Sequence, residues 1–458
     1  MENSFINKFE ILGLFGYKDV CITFNHSTLI VIGENGFGKT SILNALNFII
    51  THSYKRLLEI RFDAIRLNIG DNVFYYQRNL IEQYSSYIDR KDSEEHSIID
   101  FVRRNTDEKI FDTVVKMIQS GKKSKEFYQF INNDVFLKTI PGNVLYQEFF
   151  TWNEQTKLFN DFIVMEKLID SYGYTVLFFP TYRRVEVDYK TLFPIEGRRR
   201  MMRFVEEGNN DNEDMDIRFG MKDVTRRINK ITDIIRQSSL EGFTNVSGDV
   251  IHQMLGMNSS SNDKLECTEE ELRIVLDRTG SKLNEIDKST ILEQFKNQEK
   301  TLLENYFLLF YLQQLLMIYR SQEKYDSAIK AYCDVCNKYL SDKIFVYDAS
   351  NVTLAIYRCL DGKPVMSQEN RVTLNQLSSG EKQIVSIFSQ IYLELDKKFV
   401  VLFDEPELSL SIYWQENLLP DIIASGNCKF LMAVTHSPFI FDNELQKFTI
   451  GIHEFIKR

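Results

Sequence analysis

The chain has 458 residues, of which 43% are hydrophobic, 13% aromatic and 26% charged, a composition that excludes a disordered chain. At about 150 residues per domain the length suits two to four domains, or one large domain carrying insertions. A net charge of −10 excludes a generally basic nucleic-acid binder, although a local basic surface stays compatible with it.

Six cysteines without a regular spacing form no disulfide framework and suit reduced thiols. The N-terminus has no basic stretch leading into an apolar core, and no run of 18 apolar residues follows anywhere. We therefore expect a soluble cytoplasmic protein with no membrane partner.

In chain order, Phe9–Gly13 and Val20–Phe24 read as short strands around a turn at Gly16–Asp19. Thr28–Ile32 is a compact β-branched, apolar run, the pattern of a buried strand. Gly33-Glu34-Asn35-Gly36-Phe37-Gly38-Lys39-Thr40 follows at once and reads G-x-x-x-x-G-K-T. From Ser41 to Ile50 an apolar face recurs at helical spacing. Strand, glycine loop and helix form the setting in which this motif binds phosphate.

The chemistry explains the residue types. Glycines let consecutive backbone N–H groups converge on phosphate oxygens. The helix N-terminus adds positive potential. Lys39 is a mobile cation that reaches the β- and γ-phosphates, and the Thr40 hydroxyl is a ligand for Mg²⁺. Residues Gly33 to Ser41 are thus the expected nucleotide-binding set.

Further along, Ala64–Asn68 and Val73–Gln77 read as a hairpin turning at Gly70–Asn72. Residues 80–170 are mostly helical and amphipathic, with a turn at Pro141–Asn143 and no catalytic motif. Asp92–His96 reads as solvated surface. Tyr174–Phe179 is a second buried strand, followed by Pro180-Thr181-Tyr182-Arg183-Arg184. Arginines just past a strand end sit where α/β folds place ligand contacts. Phosphate, subunit or nucleic-acid contact and an ordinary surface role both stay open for them. Arg198–Arg200 and Arg203, followed by the acidic run Asn209–Asp214, read as an exposed segment, with a solvated loop favoured over nucleic-acid contact.

Residues 221–340 are predominantly helical, with helical spacing over Val224–Ile235 and Ile291–Lys338 and a break at Gly256–Asn262. This suggests a helical hairpin inserted between two halves of a nucleotide-binding domain. Cys333-x-x-Cys336 lies inside the helical pattern with no second pair, so it reads as buried thiols rather than a zinc site. Strand patterns resume at Lys343–Tyr347 and Val352–Tyr357.

Leu377-Ser378-Ser379-Gly380-Glu381-Lys382-Gln383 then precedes a helix expected to start near Ile384. Lys398–Glu405 is an apolar strand ending in two carboxylates. Asp404 is placed to hold Mg²⁺ and Glu405 to polarise an attacking water. The strand Lys429–Val434 leads to Thr435-His436-Ser437-Pro438, which brings His436 beside the other strand tips.

In this order the motifs resemble those of ABC-type ATPases of the SMC, RecF and OLD kind. Gly33–Thr40 matches their Walker A, Leu377–Gln383 their signature and Phe399–Glu405 their Walker B. Glu407–Ser411 lies where their D-loop lies, and His436 where their switch histidine lies. The match covers roughly residues 5–60 and 340–458. The fold it implies is α/β, an ABC-type P-loop ATPase head built from N- and C-terminal segments with a mainly helical insertion.

The expected divisions are 1–190, including a helical insert at about 80–170, then a helical insertion at 191–340, then 341–458. The resemblance further implies ATP with Mg²⁺, Glu405 and His436 as catalytic residues, and a homodimer or higher oligomer, up to a hexamer. In it, Ser378, Ser379 and Gly380 of one protomer cap the γ-phosphate held by Lys39 of another. Two departures stand out. Ser409-Leu410-Ser411 lacks the histidine that many relatives carry at the loop's end. No Q-loop glutamine is evident; Gln77 is a weak candidate, and the Arg183-Arg184 element is a candidate for that region.

The chain is most similar in size and in Phe179–Arg184 to bacterial anti-phage defence ATPases of the Septu PtuA and PARIS AriA families. Those imply a sensor or scaffold subunit that holds a separate nuclease or toprim effector, with DNA or a phage protein left open as a further partner. The competing expectation is a DNA-repair ATPase of the RecF or SMC type that clamps DNA. An OLD-like nuclease is rejected for this polypeptide alone, because no cluster of toprim-type metal ligands follows His436.

Overall fold

A computed structural model of the chain describes residues 4–34, 36–93, 98–119, 125–181, 220–256, 265–280, 283–296, 306–360 and 362–457. Its centre is a five-stranded parallel sheet in the order β13-β3-β12-β11-β6. The strands are β3 (Thr28–Ile32), β6 (Tyr174–Phe179), β11 (Lys398–Asp404), β12 (Cys428–Thr435) and β13 (Thr449–Gly451). Strands from the C-terminal part, β12 and β11, therefore lie between β3 and β6 from the N-terminal part. The fold is α/β, with the head assembled from both ends of the chain.

The continuous apolar runs follow from burial on both faces. Val400 and Leu402 of β11 enter one apolar cluster, and Phe399, Val401 and Phe403 enter the other. Alternate side chains of a strand point to opposite faces, so each strand serves two cores. Each such side chain contributes about 1.5–3 kcal/mol when fully buried.

The first face carries α1 (Lys39–Ile50), whose Ile42, Leu43, Leu46 and Ile49 are buried. The same cluster takes in an antiparallel sheet in the order β14-β2-β1-β4-β5. Its strands are β1 (Lys8–Leu14), β2 (Lys18–Thr23), β4 (Ala64–Ile69), β5 (Asn72–Gln77) and β14 (Ile456–Lys457). Ile456 pairs with Val20, so the last strand of the chain closes the sheet opened by the first. Gln77 ends β5 opposite Ala64.

The insert between β5 and β6 is helical. It comprises α3 (Arg78–Ser93), α4 (Ile98–Asn105), α5 (Glu108–Gln119), α6 (Lys125–Asn133), α7 (Gly142–Leu158) and α8 (Asn160–Ser171), after the short α2 (Tyr54–Leu57). Phe111, Phe127, Leu145 and Phe149 form a separate core within it. The insert joins the head through α8, where Phe162 stacks on Tyr76 at 3.9 Å and Glu166 accepts a hydrogen bond from Tyr54 at 2.7 Å.

The other face of the parallel sheet carries α9 (Met221–Gly256), α12 (Tyr306–Asn337), α13 (Ser379–Leu393) and α14 (Ile412–Ala424). Between α9 and α12 come α10 (Glu269–Arg278) and α11 (Glu285–Lys296). After α12 a small antiparallel sheet forms from β7 (Lys343–Asp348), β8 (Thr353–Leu360), β9 (Lys363–Pro364) and β10 (Arg371–Val372).

The helical spacing over Ile291–Lys338 falls on α11 and α12, with residues 297–305 outside the described set. Helix α10 lies within the expected helical stretch 221–340; Thr268 and Glu271 start it with a reciprocal capping box. The helix after the serine-rich motif begins at Ser379 and not near Ile384. Ser378 caps it, its Oγ accepting the Glu381 N–H at 3.3 Å while the Glu381 carboxylate accepts the Ser378 N–H at 2.7 Å.

Cys333 and Cys336 are buried in α12, as their helical context implies. Burial pushes the Cys333 thiol up to about 12, and among the described residues neither belongs to a metal-ligating cluster. No helix among the described residues is long and apolar enough to cross a membrane. Arg183, Arg184, Arg198–Arg200, Arg203 and Asn209–Asp214 lie outside the described residues.

Candidate functional site

The site forms at the C-terminal ends of the parallel strands, where open α/β sheets bind ligands. After β3 the chain turns through Gly36 (φ 85°) and Gly38 (φ 90°), both left-handed and open to glycine at little strain. Gly38 has a second constraint, since a Cβ there would stand 2.8 Å from the Phe15 ring. Asn35, part of the expected set, lies outside the described residues. Phe37 lies beside the β1–β2 turn, with the Lys18 ammonium 5.2 Å from its ring centre.

Lys39 opens α1 and is buried. Its Nζ donates to the carbonyls of Gly33 at 2.7 Å and Glu34 at 2.8 Å. Burial lowers its pKa below the ordinary lysine value, against the opposing pull of Glu405, Asp404 and Glu407. The ammonium is thus held inside the glycine loop, where a phosphate would sit.

Thr40 donates its hydroxyl to Oδ1 of Asp404 at 3.2 Å. This bond joins residues 364 positions apart and brings the two half-sites together. Asp404 is 1% exposed. Its Oδ2 accepts a second hydroxyl, from Thr181 just beyond β6. Hard oxygen donors from the Thr40 hydroxyl and the Asp404 carboxylate suit Mg²⁺, which is bound through few protein ligands and keeps several waters.

Glu405 follows at the strand tip with a left-handed backbone, φ 50°, fixed by its N–H bond to the Val434 carbonyl at 2.8 Å. His436, just past β12, approaches it with Nε2 3.9 Å from Oε1. Ser41 continues the first turn of α1.

The serine-rich motif occupies a different place. Ser378 and Ser379 are exposed at the N-terminus of α13. Glu381 is held there by Lys343 of the small sheet at 3.0 Å. Gly380 is packed so closely that a Cβ would stand 3.0 Å from both the Ser409 carbonyl and the Trp414 ring. Among the described residues no hydrogen bond joins this motif to Lys39. A helix N-terminus with an exposed hydroxyl is an anion site without a phosphate loop of its own.

Sequence reading missed Thr181 and the side-chain role of Glu407. Thr181 is found only once β6 pairs with β11, which sets Phe179 opposite Phe403. Asp404 accepts the hydroxyl of Thr181, whereas Gln77 stands at the end of β5 opposite Ala64.

The head domain of Smc with an extended coiled coil, bound to the C-terminal domain of ScpA, from Pyrococcus furiosus, is 12% identical. That match covers 98% of this chain and 93% of that chain, with a TM-score of 0.32. The Smc head domain with a coiled coil and joint from Pyrococcus yayanosii is also 12% identical, covering 98% and 94%, with a TM-score of 0.29. No curated protein matches the chain. The AAA ATPase domain family matches residues 5–441, a family that implies nucleotide binding. The chain belongs to the AAA ATPase domain family.

Proposed function

We propose that the chain binds ATP with Mg²⁺ and hydrolyses it at a site completed by a second copy. We further propose that it acts as the sensor or scaffold subunit of an anti-phage defence complex, controlling a separate nuclease or toprim effector. The observation that carries the ATPase reading is the bond from Thr40 to Asp404, with Lys39 and Glu405 on either side.

Residues Gly33 to Ser41 cradle the phosphates, and Lys39 transfers its hydrogen bonds from the loop carbonyls to the β- and γ-phosphate oxygens. Thr40 and Asp404 would hold Mg²⁺, which when bound would supply charge neutralisation at those oxygens. Thr181 orients the Asp404 carboxylate. Glu405 takes the proton of the attacking water, and His436 contacts the γ-phosphate.

Two features support completion by a second copy. Ser378 and Ser379 present an anion site that faces solvent, away from any bond to Lys39. Beside them, Leu408, Ile412 and Tyr413 are 38%, 52% and 57% exposed, an apolar surface next to charged chemistry. Bound ATP then joins two subunits, and hydrolysis releases them.

The defence reading is favoured over a DNA clamp by the arms. Helices α9 and α12 span only 36 and 32 residues; Met221–Ile235 and Ala328–Cys336 pack on the head, and Phe243, Leu315 and Tyr319 form a separate cluster with α10, whereas a long clamp arm needs sustained heptads. Co-purification with products of the neighbouring genes, followed by mass measurement with ATP, tests this. An oligomer carrying a nuclease-like partner is the expected result. A lone dimer that assembles only with ATP and DNA would replace it with the clamp.

A further inference from the structure

Glu407 stands two residues past Glu405, yet its carboxylate is spent on another strand's loop. Oε2 accepts the Thr435 hydroxyl at 2.8 Å. Oε1 accepts the backbone N–H of His436 at 2.8 Å and that of Ser437 at 3.2 Å. A full negative charge here makes three hydrogen bonds, two of them to consecutive backbone amides around one side chain. Charge-assisted bonds of this kind are the strong ones.

A second tie runs in parallel. Gln415, in the first turns of α14, donates to the Leu410 carbonyl at 2.9 Å and accepts the Ser437 hydroxyl at 2.6 Å. The loop after β11 is thus fastened to the loop after β12 at two points, one on each side of its apolar surface residues. That loop also holds two non-glycine residues in left-handed backbone, Glu405 at φ 50° and Ser409 at φ 65°. Such residues keep those conformations only where the surroundings over-determine them.

We infer that Glu407 is a positioning residue for His436, tying the histidine to the loop that bears Leu408. This rests on the proposed ATPase reading, in which a second copy covers Leu408, Ile412 and Tyr413. Glu407 holds the His436 backbone in a fixed relation to Glu405, so both reacting groups keep their places together.

The test is Glu407→Gln. Glutamine keeps the size but offers one oxygen where the carboxylate offers two, and its amide N–H₂ faces a donor. In the assembled oligomer with saturating ATP, the variant lowers kcat by on the order of 10- to 100-fold relative to wild type, the scale of a misplaced reacting group. Nucleotide affinity stays at its wild-type value, and the melting temperature falls by only about a few degrees.

Histidine-selective isotope labelling supplies a readout without turnover. The chain has six histidines, and His436→Asn identifies the relevant signal. That signal shifts in Glu407→Gln and shifts less in Gln415→Ala, which cuts the second tie. Unchanged kcat and an unchanged His436 signal overturn the inference. So does a parallel fall of melting temperature and affinity with no selective loss of kcat, since that marks a structural role alone. A wild-type protein that fails to hydrolyse ATP removes the ATPase reading instead, and the histidine signal still decides whether Glu407 positions His436.

Discussion

Lys39→Ala is expected to weaken ATP binding by about 100-fold, or about 3 kcal/mol, measured by titration of a fluorescent nucleotide. Lys39 is buried, and among the described residues its ammonium bonds only the loop carbonyls of Gly33 and Glu34. Those carbonyls are poorer partners than phosphate oxygens, so exchanging one for the other is favourable. Burial also makes the free cation costly, as its lowered pKa indicates. Removing it takes away a charge that phosphate would otherwise meet at close range in a partly desolvated loop. The melting temperature without nucleotide is expected to stay close to wild type. The difference appears on adding ATP, where a ligand at 100 times its Kd stabilises the wild type by about 2.7 kcal/mol and the variant by far less. Equal stabilisation of both proteins would contradict the assignment.

Glu405→Gln is expected to leave ATP binding intact and to lower hydrolysis by about 100- to 1,000-fold. The separation follows from position. Glu405 is not part of the phosphate loop; it stands at the tip of β11, within 3.9 Å of His436. Glutamine preserves its shape and can still hold a water, but it cannot accept a proton. The variant also removes a negative charge near Lys39, which favours retention of the nucleotide rather than its loss. We therefore expect ATP-bound subunits to accumulate as a long-lived oligomer, seen by mass measurement. Wild-type turnover by this variant would show that another group activates the water.

Much of this site was legible because its parts are local in sequence. The glycine loop announces itself through Gly36, Gly38 and the Lys39-Thr40 pair between a buried strand and a helix. Asp404 and Glu405 are legible as carboxylates ending the apolar run of β11. The parallel sheet was equally readable from β3, β6, β11 and β12, because burial on both faces leaves unbroken apolar stretches.

What stayed hidden depends on contacts between distant segments. Thr181 reaches Asp404 across 223 positions, and nothing in Pro180-Thr181 distinguishes it from a loop threonine. The bonds of Glu407 exist only because β12 lies beside β11. The start of α13 is hidden for a local reason. Its first turn, Ser379–Gln383, is polar, so the apolar rhythm begins only at Ile384. The Ser378-x-x-Glu381 capping box was the better guide to the boundary.

The central claim is that two copies share each ATP site, and mixing two disabled proteins tests it most directly. Lys39→Ala removes the phosphate grip of its own subunit, and Ser378→Arg blocks the exposed N-terminus of α13 presented to a neighbour. Each alone is expected to be inactive. In a mixed oligomer some sites combine the intact glycine loop of the Ser378→Arg subunit with the intact Ser378 of the Lys39→Ala subunit. ATP hydrolysis is expected to return on mixing, to roughly a quarter of the wild-type rate if subunits pair at random in dimers. If the mixture stays as inactive as its components while the subunits are shown to exchange, or if Ser378→Arg alone hydrolyses ATP normally, the shared site is contradicted.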